Sequence, residues 1–177
     1  EFGTSAADGV AYLFLSPLTG EVGTADADAS ARQDTTWSWW AGLALSIPGD
    51  LDGDGFREFA LGSPMWPAYG GVYVFSGASR GTLGEGDTVA VITGDTSSGL
   101  SYWVGPAGDQ DGDGLDNLLV DQAGATTRQL LLYHGPLTGS LTDTDADRAF
   151  SGDGYLSPAA VGDLNGDGYV DTVAGYS

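Results

Sequence analysis

GDLDGDGFREFALGSP, residues 49–64, puts acidic side chains on alternate positions, a glycine sixth from the first aspartate and a short apolar run directly behind it. Two further versions occur, GDQDGDGLDNLLVDQA at 108–123 and GDLNGDGYVDTVAGYS at 162–177. Their leading aspartates, Asp50, Asp109 and Asp163, lie 59 and 54 residues apart, so the chain is written on a repeat of roughly 57 residues. A second set of segments falls between them: GVAYLFLSPLTGEV from Gly9, GVYVFSGASRGTL from Gly71 and QLLLYHGPLTGSL from Gln129. A third likeness joins TADADAS at 24–30 with TDTDADR at 142–148.

Each repeat reads as short strands separated by turns. One strand precedes the acidic loop (41–47, 102–105, 157–161), and one follows it (59–62, 118–121, 172–175). A third carries the aromatic-rich run (72–75, 130–133, 10–15), and a fourth lies near 89–93 and 148–151. Four short antiparallel strands per repeat make the all-β blade pattern of a β-propeller. A threefold sandwich or barrel is the alternative. Thirty glycines and seven prolines without a long helical period fit many short elements joined by tight turns.

The chain of 177 residues is 41 % apolar, which is enough to form a core. Five Lys plus Arg stand against twenty-five Asp plus Glu, a formal charge of −20. Such a surface repels nucleic acid and anionic membrane, which need a cationic partner. The acids read either as a solubilising coat or as ligands whose charge is cancelled by metal ions. With no cysteine there is no disulfide, thiolate metal site or thiol nucleophile. No stretch reaches the ~18 apolar residues of a membrane span, and no membrane insertion is expected. Residues 1–8, beginning EFGTS, are set aside as an appended remnant or linker, and 9–177 as three repeats that begin and end within a blade.

In each loop, positions 1, 3 and 5 carry side-chain oxygens: Asp50, Asp52 and Asp54; Asp109, Asp111 and Asp113; Asp163, Asn165 and Asp167. The sixth position is Gly55, Gly114 or Gly168, able to take the positive φ that turns a chain around an ion. The seventh offers a backbone carbonyl from Phe56, Leu115 or Tyr169, and the ninth an oxygen from Glu58, Asn117 or Asp171. Carboxylates and carbonyls without His or Cys suit a hard cation, Ca²⁺ ahead of Mg²⁺. An EF-hand needs a bidentate Glu at position 12 and flanking helices. Leu61, Val120 and Ala174 stand there, and strand-like sequence follows each loop, so that reading fails three times.

The three loops, with a GVYVFSG-type strand between them, resemble the FG-GAP repeats of integrin α-subunit propellers and of many bacterial secreted proteins. The resemblance covers everything after residue 8. It implies about three calcium ions per chain, held at loops 50–58, 109–117 and 163–171 by the fifteen residues named above. In two places the chain departs from the pattern. Asn117 supplies a neutral oxygen where a carboxylate is expected, with Asp116 beside it. The glycine after the post-loop strand is Gly62 and Gly175, but Asp121 in the second repeat. The second loop is therefore expected to bind calcium more weakly than the first. The implied role of the ion is to brace a turn, not to do chemistry.

No catalytic constellation emerges. His134 is the only histidine and sits at a strand end, more in keeping with a turn than with a general base. No serine lies in a G-x-S-x-G elbow, and glycines alternating with aspartates would repel phosphate. Trp37, Trp39 and Trp40 in TTWSWWAG, and Trp66 with Tyr69 in SPMWPAYGG, could form a sugar- or peptide-binding surface. The competing reading is that such aromatics wedge blades together, and it is the one favoured for Trp40.

Propellers have about four to eight blades, so three repeats leave a ring open. Either the chain is part of a longer, seven-bladed propeller, or two copies exchange strands to make six blades about a twofold axis. The reading is thus a calcium-stabilised scaffold for binding or adhesion, extracellular or on the cell surface, without catalytic activity. It works as a homo-oligomer, a dimer for preference, with a protein or glycan ligand. The alternatives are a lectin-like propeller and an auxiliary domain of a secreted hydrolase.

Overall fold

The computed structural model describes residues 9–32, 42–64, 70–94, 99–123, 128–152 and 156–176. Among these the chain is all-β, with fourteen strands in four sheets and no α-helix. Strands β1 (Val10–Leu13) and β2 (Ala29–Arg32) open the chain. The second unit holds β3 (Ala44–Gly49), β4 (Glu58–Ser63), β5 (Gly71–Ser76), β6 (Gly81–Leu83) and β7 (Ala90–Thr93). The third holds β8 (Gly99–Gly108), β9 (Asn117–Ala123), β10 (Arg128–Tyr133), β11 (Gly139–Thr142) and β12 (Arg148–Gly152). Strands β13 (Leu156–Gly162) and β14 (Asp171–Tyr176) close the chain.

Two complete antiparallel meanders result, β3-β4-β5-β7 and β8-β9-β10-β12, flanked by two half units, β1-β2 and β13-β14. The arrangement is consistent with part of a propeller. A strand lies at each place expected from the sequence. The one expected at 10–15 ends at Leu13, and the one expected at 41–47 begins at Ala44, residue 41 lying outside the described residues. The apolar, β-branched and aromatic run of β5, GVYVFS, suits a strand covered on both faces, and Val72 to Phe75 are buried.

The sheets differ from the expected four antiparallel strands by an exchanged strand. After β5 the chain leaves its own sheet, and β6 pairs in parallel with β2 of the preceding unit, Gly81 opposite Ala29. After β10 it does the same: β11 pairs in parallel with β7, Gly139 opposite Ala90. A short 3-10 turn then returns the chain to its own sheet, at Glu85–Asp87 and Asp143–Asp145, with a third such turn at Thr24–Asp26. Each is anchored alike: Asp26, Asp87 and Asp145 accept from the backbone N–H of Gly23, Gly84 and Thr142 at 2.8, 2.8 and 2.7 Å.

Sheet packs on sheet through apolar side chains. Val72, Val74, Ala90 and Ile92 of the second unit meet Leu100, Val104, Leu118, Val120 and Leu131 of the third. Ala11, Ala29 and Ala31 of the first unit meet Leu61, Tyr73 and Phe75 of the second, where Phe59 stacks on Phe75 at 5.2 Å. Beyond the third unit, Ala107, Leu119, Leu130 and Leu132 form the next layer, with Trp103 against them. Burying apolar surface at about 25 cal/mol per Å² is what holds adjacent sheets together.

The glycine after the loop strand is explained by these approaches. A Cβ on Gly62 would lie 2.7 Å from the Ser101 carbonyl of the neighbouring sheet. In the second repeat Asp121 occupies this place; it accepts from the Trp103 N–H at 2.6 Å and pairs with Arg128 at 3.3 Å. Burial nonetheless pushes the Asp121 carboxyl above its ordinary range.

Candidate metal centre

The acidic loops join β3 to β4, β8 to β9 and β13 to β14, and each begins at a register shift in its strand pair. Gly49, Gly108 and Gly162 precede them, all at positive φ. At Gly49 the space is filled by a neighbour, since an added Cβ would stand 2.0 Å from the Asp116 carboxylate. Gly55, Gly114 and Gly168, at the sixth position, have φ of 87°, 90° and 93°, the turn conformation the sequence calls for.

The first aspartate organises each turn. Asp50 accepts from the N–H groups of Gly53 and Gly55 at 2.8 and 3.0 Å; Asp109 accepts from Gly112 and Gly114 at 2.6 and 3.0 Å. Asp163 does the same with Gly166 and Gly168 at 2.6 and 2.8 Å. These donors, Gly168 foremost, hold its carboxyl below the usual range. Asp54, Asp113 and Asp167 accept from the N–H two residues on, at 2.7, 2.8 and 3.0 Å.

Carboxylates gather in two of the loops. Asp50, Asp52 and Glu58 bring oxygens within 4.8 Å of one another, as do Asp109, Asp111 and Asp113, and either group could hold a metal ion. Asn165 takes part in the third loop instead by donating to Asp167 at 3.0 Å. Asp54 also accepts from the Ser76 hydroxyl at 3.3 Å. The backbone oxygens of Phe56, Leu115 and Tyr169 belong to these same turns.

The ninth position distinguishes the loops. Glu58, Asn117 and Asp171 each accept the N–H of the loop's second residue: Leu51 at 2.6 Å, Gln110 at 2.8 Å and Leu164 at 2.7 Å. In the first loop the remaining atom, Glu58 Oε1, is buried without a hydrogen-bond partner. Burial, and then Asp52, Asp54 and Asp50, raise the Glu58 carboxyl to about 7, against the opposing pull of the Leu51 N–H. In the second loop the remaining buried atom is Asn117 Nδ2, also without a partner. The amide oxygen has two lone pairs and keeps one beyond the Gln110 N–H, whereas the amide nitrogen is a donor that no cation can use. The neutral oxygen expected from Asn117 is therefore shared with the Gln110 N–H, and the side chain has no second oxygen to offer.

Asp116 does not compensate. It serves the neighbouring loop, accepting from Asp50 N–H at 3.0 Å while its own N–H bonds the Asp50 carbonyl at 2.9 Å. Val170 N–H bonds the Asp109 carbonyl at 3.1 Å in the same way, so each loop is stitched to the next at one end of the sheets. Sequence reading also left His134 apart from the loops. Its Nδ1 lies 3.2 Å from Asp111 Oδ2, and nothing in the spacing signals this, because the contact joins two loops 23 residues apart in sequence. Trp37, Trp39, Trp40, Trp66 and Tyr69 lie outside the described residues.

Comparison with known proteins finds a repeat in the same part of the chain as the first loop. Residues 42–75 match the model of the FG-GAP repeat. Mouse integrin alpha-M is 35 % identical over 100 residues, 54 % of this chain and 8 % of the relative. Mouse integrin alpha-E is 31 % identical over 116 residues, 58 % of this chain and 10 % of the relative, and mouse integrin alpha-X is 34 % identical over 100. The chain spans between 8 and 10 % of the length of these relatives. Together the matches show an FG-GAP repeat at residues 42–75 and a likeness to integrin alpha chains over rather more than half of this chain.

Proposed function

We propose that this chain is a calcium-braced β-propeller portion, built of FG-GAP-type blades, that serves as a non-catalytic scaffold for adhesion or binding at the outer cell surface. The observation that carries the metal reading is Glu58 Oε1, a buried carboxylate oxygen without a partner beside Asp50 and Asp52. Burying such a group uncompensated is unfavourable, and a hard cation with oxygen preference fits the gap. Asp50, Asp52, Asp54, Glu58 and the Phe56 carbonyl would hold it in the first loop, with their counterparts in the second and third. The ion supplies positive charge that offsets the repulsion among these carboxylates. Loops of this ligand type fill at extracellular rather than cytosolic calcium levels.

The adhesive role rests on the likeness to integrin α chains, which are named for that receptor class. No helix among the described residues is long and apolar enough to cross a membrane. Calorimetric titration with Ca²⁺, paired with thermal unfolding in calcium and in chelator, tests the proposal. Saturable binding with a raised Tm is expected, since an ion at a hundred times its Kd contributes about 2.7 kcal/mol by linkage. No heat and an unchanged Tm in millimolar calcium would overturn it.

A further inference from the structure

We propose that the first and second acidic loops fill as a coupled pair, with Asp116 as the positioning residue that links them. An ion in the first loop tightens the second, because Asp116 holds the leading residue of one loop and is flanked by two ligand positions of the other. This coupling rests on the calcium reading above, and the experiment below tells the failure of one from the failure of the other.

Asp116 is the eighth residue of the second loop. Before it stands Leu115, whose carbonyl is the seventh-position oxygen, and after it Asn117, the ninth-position residue. Its own hydrogen bonds run to the first loop. Asp50 donates its N–H to Asp116 Oδ2 at 3.0 Å, and Asp116 donates its N–H to the Asp50 carbonyl at 2.9 Å. One residue 66 positions further along the chain thus engages both polar groups of the Asp50 backbone. Asp50 in turn shapes the first loop, since its carboxylate takes the Gly53 and Gly55 N–H groups. Gly49 leaves the room that this approach needs, as any side chain there would collide with the Asp116 carboxylate.

Packing joins the same two loops. Leu115 sets its side chain beside Gly53, the fourth residue of the first loop, where an added Cβ would lie 3.3 Å away. It also lies against Gly135. Just beyond, Leu137 donates its N–H to the Leu51 carbonyl at 2.8 Å, and Leu51 and Leu137 are both buried. Just before, His134 Nδ1 lies 3.2 Å from Asp111. Residues 134–137 therefore touch both loops, and displacing residues 115–117 breaks contacts on residues 49–53.

The second and third loops provide a comparison within the same chain. Val170 donates its N–H to the Asp109 carbonyl at 3.1 Å, and Tyr169 lies beside Gly112 as Leu115 lies beside Gly53. Gln110 also donates to the Thr172 hydroxyl, a neutral bond. Val170 fills the space beside Gly108, but its side chain carries no acceptor for the Asp109 N–H. The carboxylate half of the link thus joins the first loop to the second and is missing between the second and the third. Hydrogen bonds to a charged group are the stronger kind.

Ordering the ligands is part of what ion binding costs, and in the second loop that cost falls on both sides of Asp116. With Asp50 fixed in a filled first loop, Asp116 is held, and part of that ordering is met in advance. The second loop stands to gain, because its ninth residue shares its one oxygen with the Gln110 N–H. Linkage is reciprocal, so a filled second loop tightens the first by the same factor. Repulsion between two dications opposes the coupling, and the carboxylates of both loops offset that repulsion.

Glycine-selective ¹⁵N labelling reads each loop separately during a calcium titration. The N–H groups of Gly55, Gly114 and Gly168 each donate to the leading aspartate of their own loop. Asp52→Asn with Glu58→Gln removes two carboxylates from the first loop and spares the Asp50 hydrogen bonds. The Gly114 midpoint should then rise at least about fivefold, the lower end for linked sites. Asp116→Val gives the second loop the third loop's eighth residue and should raise the Gly114 midpoint similarly, with circular dichroism unchanged. Asp116→Asn removes the charge but keeps an oxygen for the Asp50 N–H, and should restore most of the affinity. Adding Asp116→Val to the first-loop pair should cost little more. The first-loop pair tests the coupling whatever Asp116→Val does to folding. If no signal moves with calcium in the native chain, the calcium reading fails and the coupling falls with it. If calcium binds and Gly114 keeps its midpoint with the first loop disabled, the coupling is overturned and the calcium reading stands. Equal rises in Asp116→Asn and Asp116→Val overturn the role of Asp116.

Discussion

The first and second acidic loops share the hydrogen bonds and the positive-φ glycine of one turn type, but their ninth residues leave opposite groups over. Both begin with an aspartate that takes two glycine N–H groups, and both turn at a positive-φ glycine. At the ninth position, however, Glu58 leaves a buried acceptor over, and Asn117 leaves a buried donor. A single atom, oxygen or nitrogen, therefore separates a ninth residue with a spare acceptor from one with a spare donor, while carboxylates gather in both loops.

The harshest way to break this comparison is to remove the organising aspartates. Asp50→Ala and Asp109→Ala each remove two exposed hydrogen bonds from glycine N–H groups, and each should lose about 0.5–1.5 kcal/mol in chelator. In saturating calcium Asp50→Ala should lose a further ~2–3 kcal/mol and Asp109→Ala clearly less. Denaturant unfolding with and without calcium reads both, and equal calcium-dependent parts would remove the distinction between the loops.

Exchanging the ninth residues should transpose the affinities. Asn117→Glu should tighten the second loop, and Glu58→Asn weaken the first, each by about tenfold, equivalent to 1.4 kcal/mol. Calorimetry on the two variants checks it; unchanged affinities would mean that the ninth residue does not set them.

The pH response sharpens the contrast without any ion. The folded-state Glu58 carboxyl is raised from 4.5 to about 7, so folding favours its protonated form. Stability in chelator should then fall as pH climbs from about 4.5 to about 7 and level off above that. Glu58→Gln should flatten that slope, whereas Asn117→Gln, which changes no titrating group, should leave it. Tm measured across pH 4 to 8 in chelator reads the result. The smallest effect belongs to His134→Ala. Its contact with Asp111 is partly exposed, so second-loop affinity should move by no more than about 1 kcal/mol and first-loop affinity not at all.

Much of this was legible in the residues. Three copies of one acidic string gave the repeat, the apolar runs on either side gave the strands, and glycine at the sixth position gave the turn. The acidic loops could be delimited because their side-chain oxygens fall at nearly consecutive positions. What escaped were contacts between repeats. Strands β6 and β11 are three and four residues long and lie in turn-rich segments, so they become strands only because a neighbouring sheet offers an edge. Asp116 stands beside Asn117 in sequence, yet it works for Asp50. Asp121 replaces an expected glycine, and only the positions of Trp103 and Arg128 account for it.

By itself the sequence determined the repeat, the strand order within each unit and the composition of the acidic loops, because these depend on side-chain periodicity, φ preference and donor chemistry over a few residues. The tertiary structure alone decided which atom of Glu58 or Asn117 is left over, which loop Asp116 serves, and which apolar residues remain uncovered. Those outcomes depend on hydrogen bonds and packing between segments roughly one repeat apart, and no local pattern encodes that distance.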